Sequence, residues 1–191
     1  MKETKLDQRF TSGSEEELEE AIAIYGEKLL RYAVSILCSH QDAEDIVQRV
    51  FLSAYQSRSG FNGNNLSAWL YKITYNLCLN HLKKRRLFFF SDIRNVKEES
   101  ANPDEENELS DEVLSALGKL KAEDRALIYG RIIDEHSYEE LSQMLGKPPN
   151  TLRKRYERAK KKLASYLTTR KQTIMSAEQS EKSRKEQKQW I

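Results

Sequence analysis

Residues 137–163 read SYEELSQMLGKPPNTLRKRYERAKKKL. Ser137 followed three residues later by Glu140 has the form of a capping box: the serine oxygen accepts from a first-turn amide, and the glutamate reaches back to the helix start. A short helix through Leu141 and Leu145 follows. Gly146 stands where a left-handed residue ends a helix, and Lys147-Pro148-Pro149 cannot continue it, so the chain turns before Asn150. Pro149 suits a first helical position. The next helix places Leu152, Tyr156, Ala159, Leu163 and Leu167 on one side and Arg153, Lys154, Arg155, Arg158, Lys161 and Lys162 elsewhere. Helix, tight turn and basic helix describe a DNA-reading helix-turn-helix. The competing reading is a pair of solvated helices with a charged face.

Working outward, helical periodicity runs back to Leu114 (Leu117, Leu120, Ala126, Leu127, Ile132, Ile133). Upstream of it, Val96 to Glu112 is acidic (Glu98, Glu99, Asp104, Glu105, Glu106, Glu108, Asp111, Glu112), with Pro103 and almost nothing apolar to bury, which marks a linker. From Leu18 to Cys38, Ile22, Leu29, Ala33, Ile36 and Leu37 recur at helical spacing. Asp42 to Tyr55 is a second helix: Asp42, Glu44 and Asp45 suit its positive end, Ile46, Val47, Val50, Phe51 and Ala54 form the buried stripe, and Asp45, Gln48 and Arg49 lie outside it. Ser57 to Asn65 (SRSGFNGNN) is a loop dense in residues that tolerate turn conformations. Ser67 is expected to cap a third helix, Ala68 to about Arg86, which buries Trp69, Leu70, Ile73 and Leu77 and lines another face with Lys72, Asn76, Lys83 and Arg86. It closes on Lys83-Lys84-Arg85-Arg86.

The expected fold is therefore all-α, with two small helical domains joined by a flexible acidic linker. Its divisions are an N-terminal extension (1–17), a helical bundle (18–90), the linker (91–110), the helix-turn-helix domain (111–167) and a polar tail from 168 expected to be disordered apart from anchoring at Trp190. Composition agrees: 38% hydrophobic and 32% charged residues with only 7 Gly and 3 Pro favour helices over sheet. A net charge of +2 over 191 residues excludes a uniform basic field, so function depends on local blocks of charge.

Two domains read together are more specific than either. Asp42-Ala43-Glu44-Asp45-Ile46-Val47-Gln48, Phe51, Phe61, Ala68-Trp69-Leu70-Tyr71-Lys72-Ile73, Asn76-Leu77 and the Lys83 to Arg86 cluster resemble, in order and spacing, region 2 of extracytoplasmic-function (ECF) sigma factors. Tyr138-Glu139-Glu140-Leu141 through Thr151-Leu152-Arg153, Arg155, Arg158-Ala159 and Leu163 resemble region 4. Arg49, Asn80 and Pro148 depart from the family pattern, which usually has an acid, Asp and a capping Ser there. The resemblance implies an alternative sigma factor. In it, Asp42, Asp45, Gln48 and Arg49 dock on the clamp helices of the largest subunit of core RNA polymerase, and the flap of the second-largest subunit is a further partner. Promoter DNA at −10 falls to Phe61, Asn62, Asn64, Asn65, Lys72, Asn76, Lys83, Lys84 and Arg86, and at −35 to Thr151, Arg153, Lys154, Arg155, Arg158 and Lys161. The acidic linker would thread the polymerase channel, and an anti-sigma factor is a partner such proteins can have. For Phe61 a plug under the loop competes with base contact; for Asp42, Glu44 and Asp45 a helix-dipole role competes with docking; for the linker an inert tether competes with a function.

No catalytic residue, metal or cofactor is expected. His40, His81 and His136 lie apart, and Cys38 and Cys78 sit in apolar runs as buried, reduced thiols. No apolar stretch approaches the ~18 residues of a membrane span, and the N-terminus is polar and acidic, so a cytoplasmic protein without membrane insertion is the expectation. The alternative function is a helix-turn-helix regulator that acts without joining polymerase.

Overall fold

A computed structural model describes residues 3–11, 14–91 and 111–188. These form α1 (Glu3–Phe10), α2 (Glu15–Leu37), α3 (His40–Gln56), a 3-10 turn (Arg58–Gly60), α4 (Leu66–Ser91), α5 (Asp111–Gly118), α6 (Ala122–Ile132), α7 (Tyr138–Leu145) and α8 (Pro149–Lys188). No strand occurs among the described residues. The acidic segment expected as linker lies almost entirely outside them, as does Trp190.

Local chemistry sets the breaks. Ser14 and Glu17 form a capping box that starts α2 ahead of the expected Leu18. Cys38 takes a left-handed conformation, its N–H bonding to Val34, and Ser39 immediately caps α3 by accepting from the Asp42 amide. Two residues thus reverse the chain between long helices. Asn65, at φ 53°, accepts from the Ala68 amide through its side chain, so Asn65 rather than Ser67 caps α4. The helix accordingly opens at Leu66, where the Asp7 carboxylate accepts from the backbone amide.

The core of the first domain lies where α2, α3 and α4 meet: Tyr25, Leu29 and Ile36 against Ile46 and Val50, with Leu66 and Leu70 closing it. Ala21, Ala33, Ala43 and Ala54 are buried and let the helices approach closely. The polar side chains of Ser35 and Thr74 are satisfied within their own helices, at Tyr32 O and Leu70 O. Ile22, placed on the buried stripe by periodicity, is 45% exposed.

In the second domain, Gly130 of α6 lies so near α7 that a Cβ there would come within 2.8 Å of Leu141 Cδ2. Arg155 of α8 reaches Glu123 of α6 at 2.6 Å and also bonds Asp124, the latter nearly buried. The sequence predicts disorder beyond Thr168, whereas α8 runs on to Lys188. Its packed first turns supply the costly nucleus, and each further Lys, Glu, Gln or Ala adds a helical hydrogen bond at little cost.

The two domains share one continuous apolar core, in which Leu114, Leu127, Leu141 and Met144 join the residues of α2–α4. The ring of Tyr32 lies 4.9 Å from that of Tyr71 and 5.9 Å from that of Tyr129, centroid to centroid. Tyr71 donates to Asp134 Oδ2 at 2.9 Å, and the His136 ring meets Tyr71 edge-on. Burial raises the Asp134 carboxyl above its usual range, an effect opposed by the Tyr71 hydrogen bond, and burial lowers His136. Tyr71→Phe removes the donor to a half-buried carboxylate. It should reduce stability in urea by about 1–3 kcal/mol with far-ultraviolet circular dichroism unchanged; an unshifted midpoint would show that Asp134 does not depend on this bond.

Candidate nucleic-acid and polymerase interfaces

The helix-turn-helix begins with the expected capping box, the Ser137 amide donating to Glu140 at 2.7 Å and the Glu140 amide to Ser137 Oγ at 3.2 Å. These bonds favour the ionised Glu140 and hold its carboxyl below the usual range. Gly146 ends α7 at φ 65°, its N–H bonding to Ser142, and Pro149 opens α8. Leu152 and Ala159 are buried under the helix, which leaves Thr151, Arg153, Lys154, Arg158 and Lys161 exposed. Arg155 does not join them. Its double contact with Glu123 and Asp124 raises the guanidinium's already high pKa against the opposing effect of burial, and turns the side chain into a tie between α8 and α6. Glu123 and Asp124 lie in the first turn of α6, and nothing in the sequence pattern singles them out as partners of Arg155. Arg153 lies 5.2 Å over the Tyr138 ring, which Arg131 also approaches at 5.0 Å. Tyr138 belongs to the capping segment and to the region 4 resemblance, but its proximity to Arg153 has no signature in spacing.

In the loop before α4, Phe61 is 4% exposed and stacks on Trp69 at 5.0 Å. The plug arrangement is the one the structure contains, and its ring faces away from solvent. Above it, Asn62 Oδ1 accepts from the Asn64 amide, Gly63 takes φ 76°, and Asn62, Asn64 and Asn65 are exposed. Along α4, Lys72, Asn76, Lys83, Lys84 and Arg86 are all exposed. At ~100° per residue Lys72, Asn76, Lys83 and Arg86 fall on one stripe, whereas Lys84 stands about 120° away from Lys72. Tyr71, on the side of α4 covered by the second domain, is buried, so the packing of the domains leaves the Lys72 stripe in water.

On α3, Asp45, Gln48 and Arg49 are exposed and share a face. Asp42 is half-buried, 3.4 Å from His81 and 3.5 Å from Arg85 of α4. It therefore fastens α3 to α4 in addition to lying in the first turn of α3. Among the described residues no three acidic, histidine or cysteine side chains gather as a metal site, and no helix is long and apolar enough to cross a membrane. Burial raises the thiols of Cys38 and Cys78, the latter to about 12.

Comparison with known proteins finds two matched regions, in order along the chain. The family described as Sigma-70 region 2 matches residues 21–88, and Sigma-70, region 4 matches residues 110–163. Curated relatives include the ECF RNA polymerase sigma factor SigW of Bacillus subtilis, 26% identical over 81% of this chain and 91% of its own. Another is the sigma factor EcfG of Rhodopseudomonas palustris, 30% identical over 73% and 78% respectively. The sigma factor SigE of Mycolicibacterium smegmatis is 28% identical over 78% of this chain, which spans only 61% of that protein. Among solved structures, CnrH in complex with the cytosolic domain of CnrY aligns over 87% of this chain and 97% of its own, with a TM-score of 0.67 at 25% identity. The sigma factor RpoE of Bartonella quintana, in complex with the anti-sigma factor NepR, aligns over 78% and 96%, with a TM-score of 0.68 at 27% identity. With regions 2 and 4 both matched in order, the chain belongs to the ECF group of the sigma-70 family, whose members initiate transcription without being enzymes.

Proposed function

We propose that this protein is a promoter-specificity subunit: it joins core RNA polymerase in the cytoplasm, reads −35 and −10 elements and helps open the duplex between them. The observation that carries the reading is that exposed side chains outside the shared core gather into separate polar faces on elements suited to different partners. The first turns of α8 suit a major groove: Arg153 and Lys154 for base edges, Arg158 and Lys161 for phosphates, with Thr151 at the helix start. Arg155, held by Glu123 and Asp124, serves the domain's stability instead of the DNA.

At −10, the Asn62, Asn64 and Asn65 turn captures an extruded base, and the Lys72, Asn76, Lys83 and Arg86 stripe, with Lys84 beside it, holds the backbone. Extrusion costs a few kcal/mol of stacking, which hydrogen bonds to the base edge offset. Phe61 acts from beneath the loop. The Asp45, Gln48 and Arg49 face of α3 docks on the clamp helices of the largest polymerase subunit, with Asp42 setting the pose of α3, and region 4 meets the flap of the second-largest subunit. The acidic segment 91–110 threads the polymerase channel. An anti-sigma factor is a further partner, supported by the likeness to RpoE in its complex with NepR.

Asp45→Ala combined with Gln48→Ala should weaken binding to purified core polymerase at least tenfold while leaving circular dichroism and melting temperature near wild type; unchanged core affinity contradicts the docking role. On α8, Arg153→Ala should lose about 1–3 kcal/mol of discrimination between a −35 duplex and its single-base variants across a salt series. Arg155→Ala should instead lower the melting temperature, because it leaves the nearly buried Asp124 unpaired. Equal loss of affinity on every duplex for Arg153→Ala, or an unaltered melting temperature for Arg155→Ala, contradicts the respective assignment.

A further inference from the structure

The region 2 match begins at residue 21, yet α1 lies before it and is built into the loop that precedes α4. Leu6 and Phe10, one helical turn apart, are 0% and 1% exposed. The Phe10 ring meets Phe61 edge-on at 6.4 Å and Trp69 at 6.2 Å, closing an aromatic cluster whose other pair is the Phe61–Trp69 stack. The Asp7 carboxylate accepts from the Leu66 amide at 3.1 Å, and Thr11 Oγ1 donates to the Phe61 carbonyl at 3.5 Å. From the opposite side, Arg9 ties α1 to α2 through Glu17 and Glu20. So α1 touches the loop from below at Phe61, where it enters its turn, and at Leu66, where it leaves.

Between those two anchors lie the residues in need of support. Gly63 and Asn65 both have positive φ, and for a non-glycine residue this conformation is disfavoured unless its surroundings impose it. Asn62 and Asn64 carry their side chains outward from that turn. A loop that must catch one extruded base discriminates among bases only if its donors and acceptors stay where they are when the base arrives. Phe10 and Asp7 are not on that outward side: one packs under Phe61, the other bonds only a backbone amide there.

We propose that α1 is a clamp on the strand-reading loop, with Asp7 and Phe10 as positioning residues that fix the Asn62–Asn65 turn and thereby sharpen base selection in the −10 element. The proposal rests on the reading of the chain as a promoter-specificity subunit. It makes the N-terminal segment part of the specificity machinery, acting through the loop backbone and not by touching DNA.

The test uses the full chain with core polymerase and a DNA pool randomised across both promoter elements, from which transcribed templates are recovered and sequenced. Recovery of two enriched elements by the wild-type protein establishes the underlying function, and failure to recover any would overturn that function itself. Given those elements, Asp7→Ala should reduce the enrichment of preferred bases at −10 by about fivefold, the scale of one lost ordering hydrogen bond, while −35 enrichment stays as in wild type. Asp7→Asn keeps an acceptor for the Leu66 amide and should restore the wild-type pattern. Phe10→Leu, which keeps apolar volume but loses the ring edges, should flatten −10 selection in the same direction. Undiminished −10 selection in Asp7→Ala would overturn the proposal. So would a parallel loss of −35 selection and core binding, because α1 would then only hold the domain together.

Discussion

The last turns of α2 are buried on every side, and the rest of the molecule is arranged to make that so. Tyr32, Ala33, Val34, Ser35, Ile36 and Leu37 are all buried in succession, a pattern no helix with a solvent face can have. The α3 and α4 helices cover one part of this circumference, and α5 and α6 of the second domain cover another. Tyr32 is the pivot, fully buried with Tyr71 of the first domain and Tyr129 of the second against its ring, and its hydroxyl finds no hydrogen-bond partner among the described residues. An orphaned hydroxyl costs about 1–3 kcal/mol, less than three packed aromatic rings contribute by burial. The position therefore holds the domains together despite the unmet bond.

This arrangement uses charge in two distinct ways. Asp42 with His81 and Arg85, and Arg155 with Glu123 and Asp124, are spent within the fold to fix one helix on another. The exposed groups of α3, α4 and α8 are of a different kind: mixed in sign on α3, where Asp45 and Arg49 share a face, and mainly basic on α4 and in the first turns of α8, so a chain of net charge +2 still carries distinct local faces. A net charge of +2 supplies little long-range field, so on the proposed reading recognition would depend on contact geometry, and the structure places Tyr138 beside Arg153 and Phe10 beneath Phe61.

Local signals made the helical boundaries legible: the Ser137–Glu140 box, the left-handed Gly146 and the proline pair after it each act within a few residues and need no tertiary support. Order and spacing of the region 2 and region 4 residues carried the family. What escaped was long-range. Leu6 and Phe10 lie in a short, mostly polar stretch, and only their meeting with Phe61 and Trp69 reveals them as core. Arg155 is one basic residue among many on α8, and nothing in its neighbours shows that Asp124 claims it. Asn65 and not Ser67 caps α4, its side chain accepting from the Ala68 amide from a left-handed backbone that an asparagine tolerates and that no spacing pattern reveals. Ile132 and Ile133 continue an apolar rhythm but fall at the end of α6, where the chain leaves the core, and both are about half exposed.

The central claim is that these faces serve transcription initiation by polymerase and not DNA binding alone. Run-off transcription on fragments of the organism's own genome, with purified core polymerase present or absent and this protein as the only specificity factor, tests it most directly. The account predicts discrete transcripts that need both proteins and start at a fixed distance downstream of a shared pair of sequence elements. Sequence-specific binding of the protein to those fragments without core polymerase, together with no factor-dependent transcript when core is supplied, would contradict it and leave a regulator that never joins the enzyme.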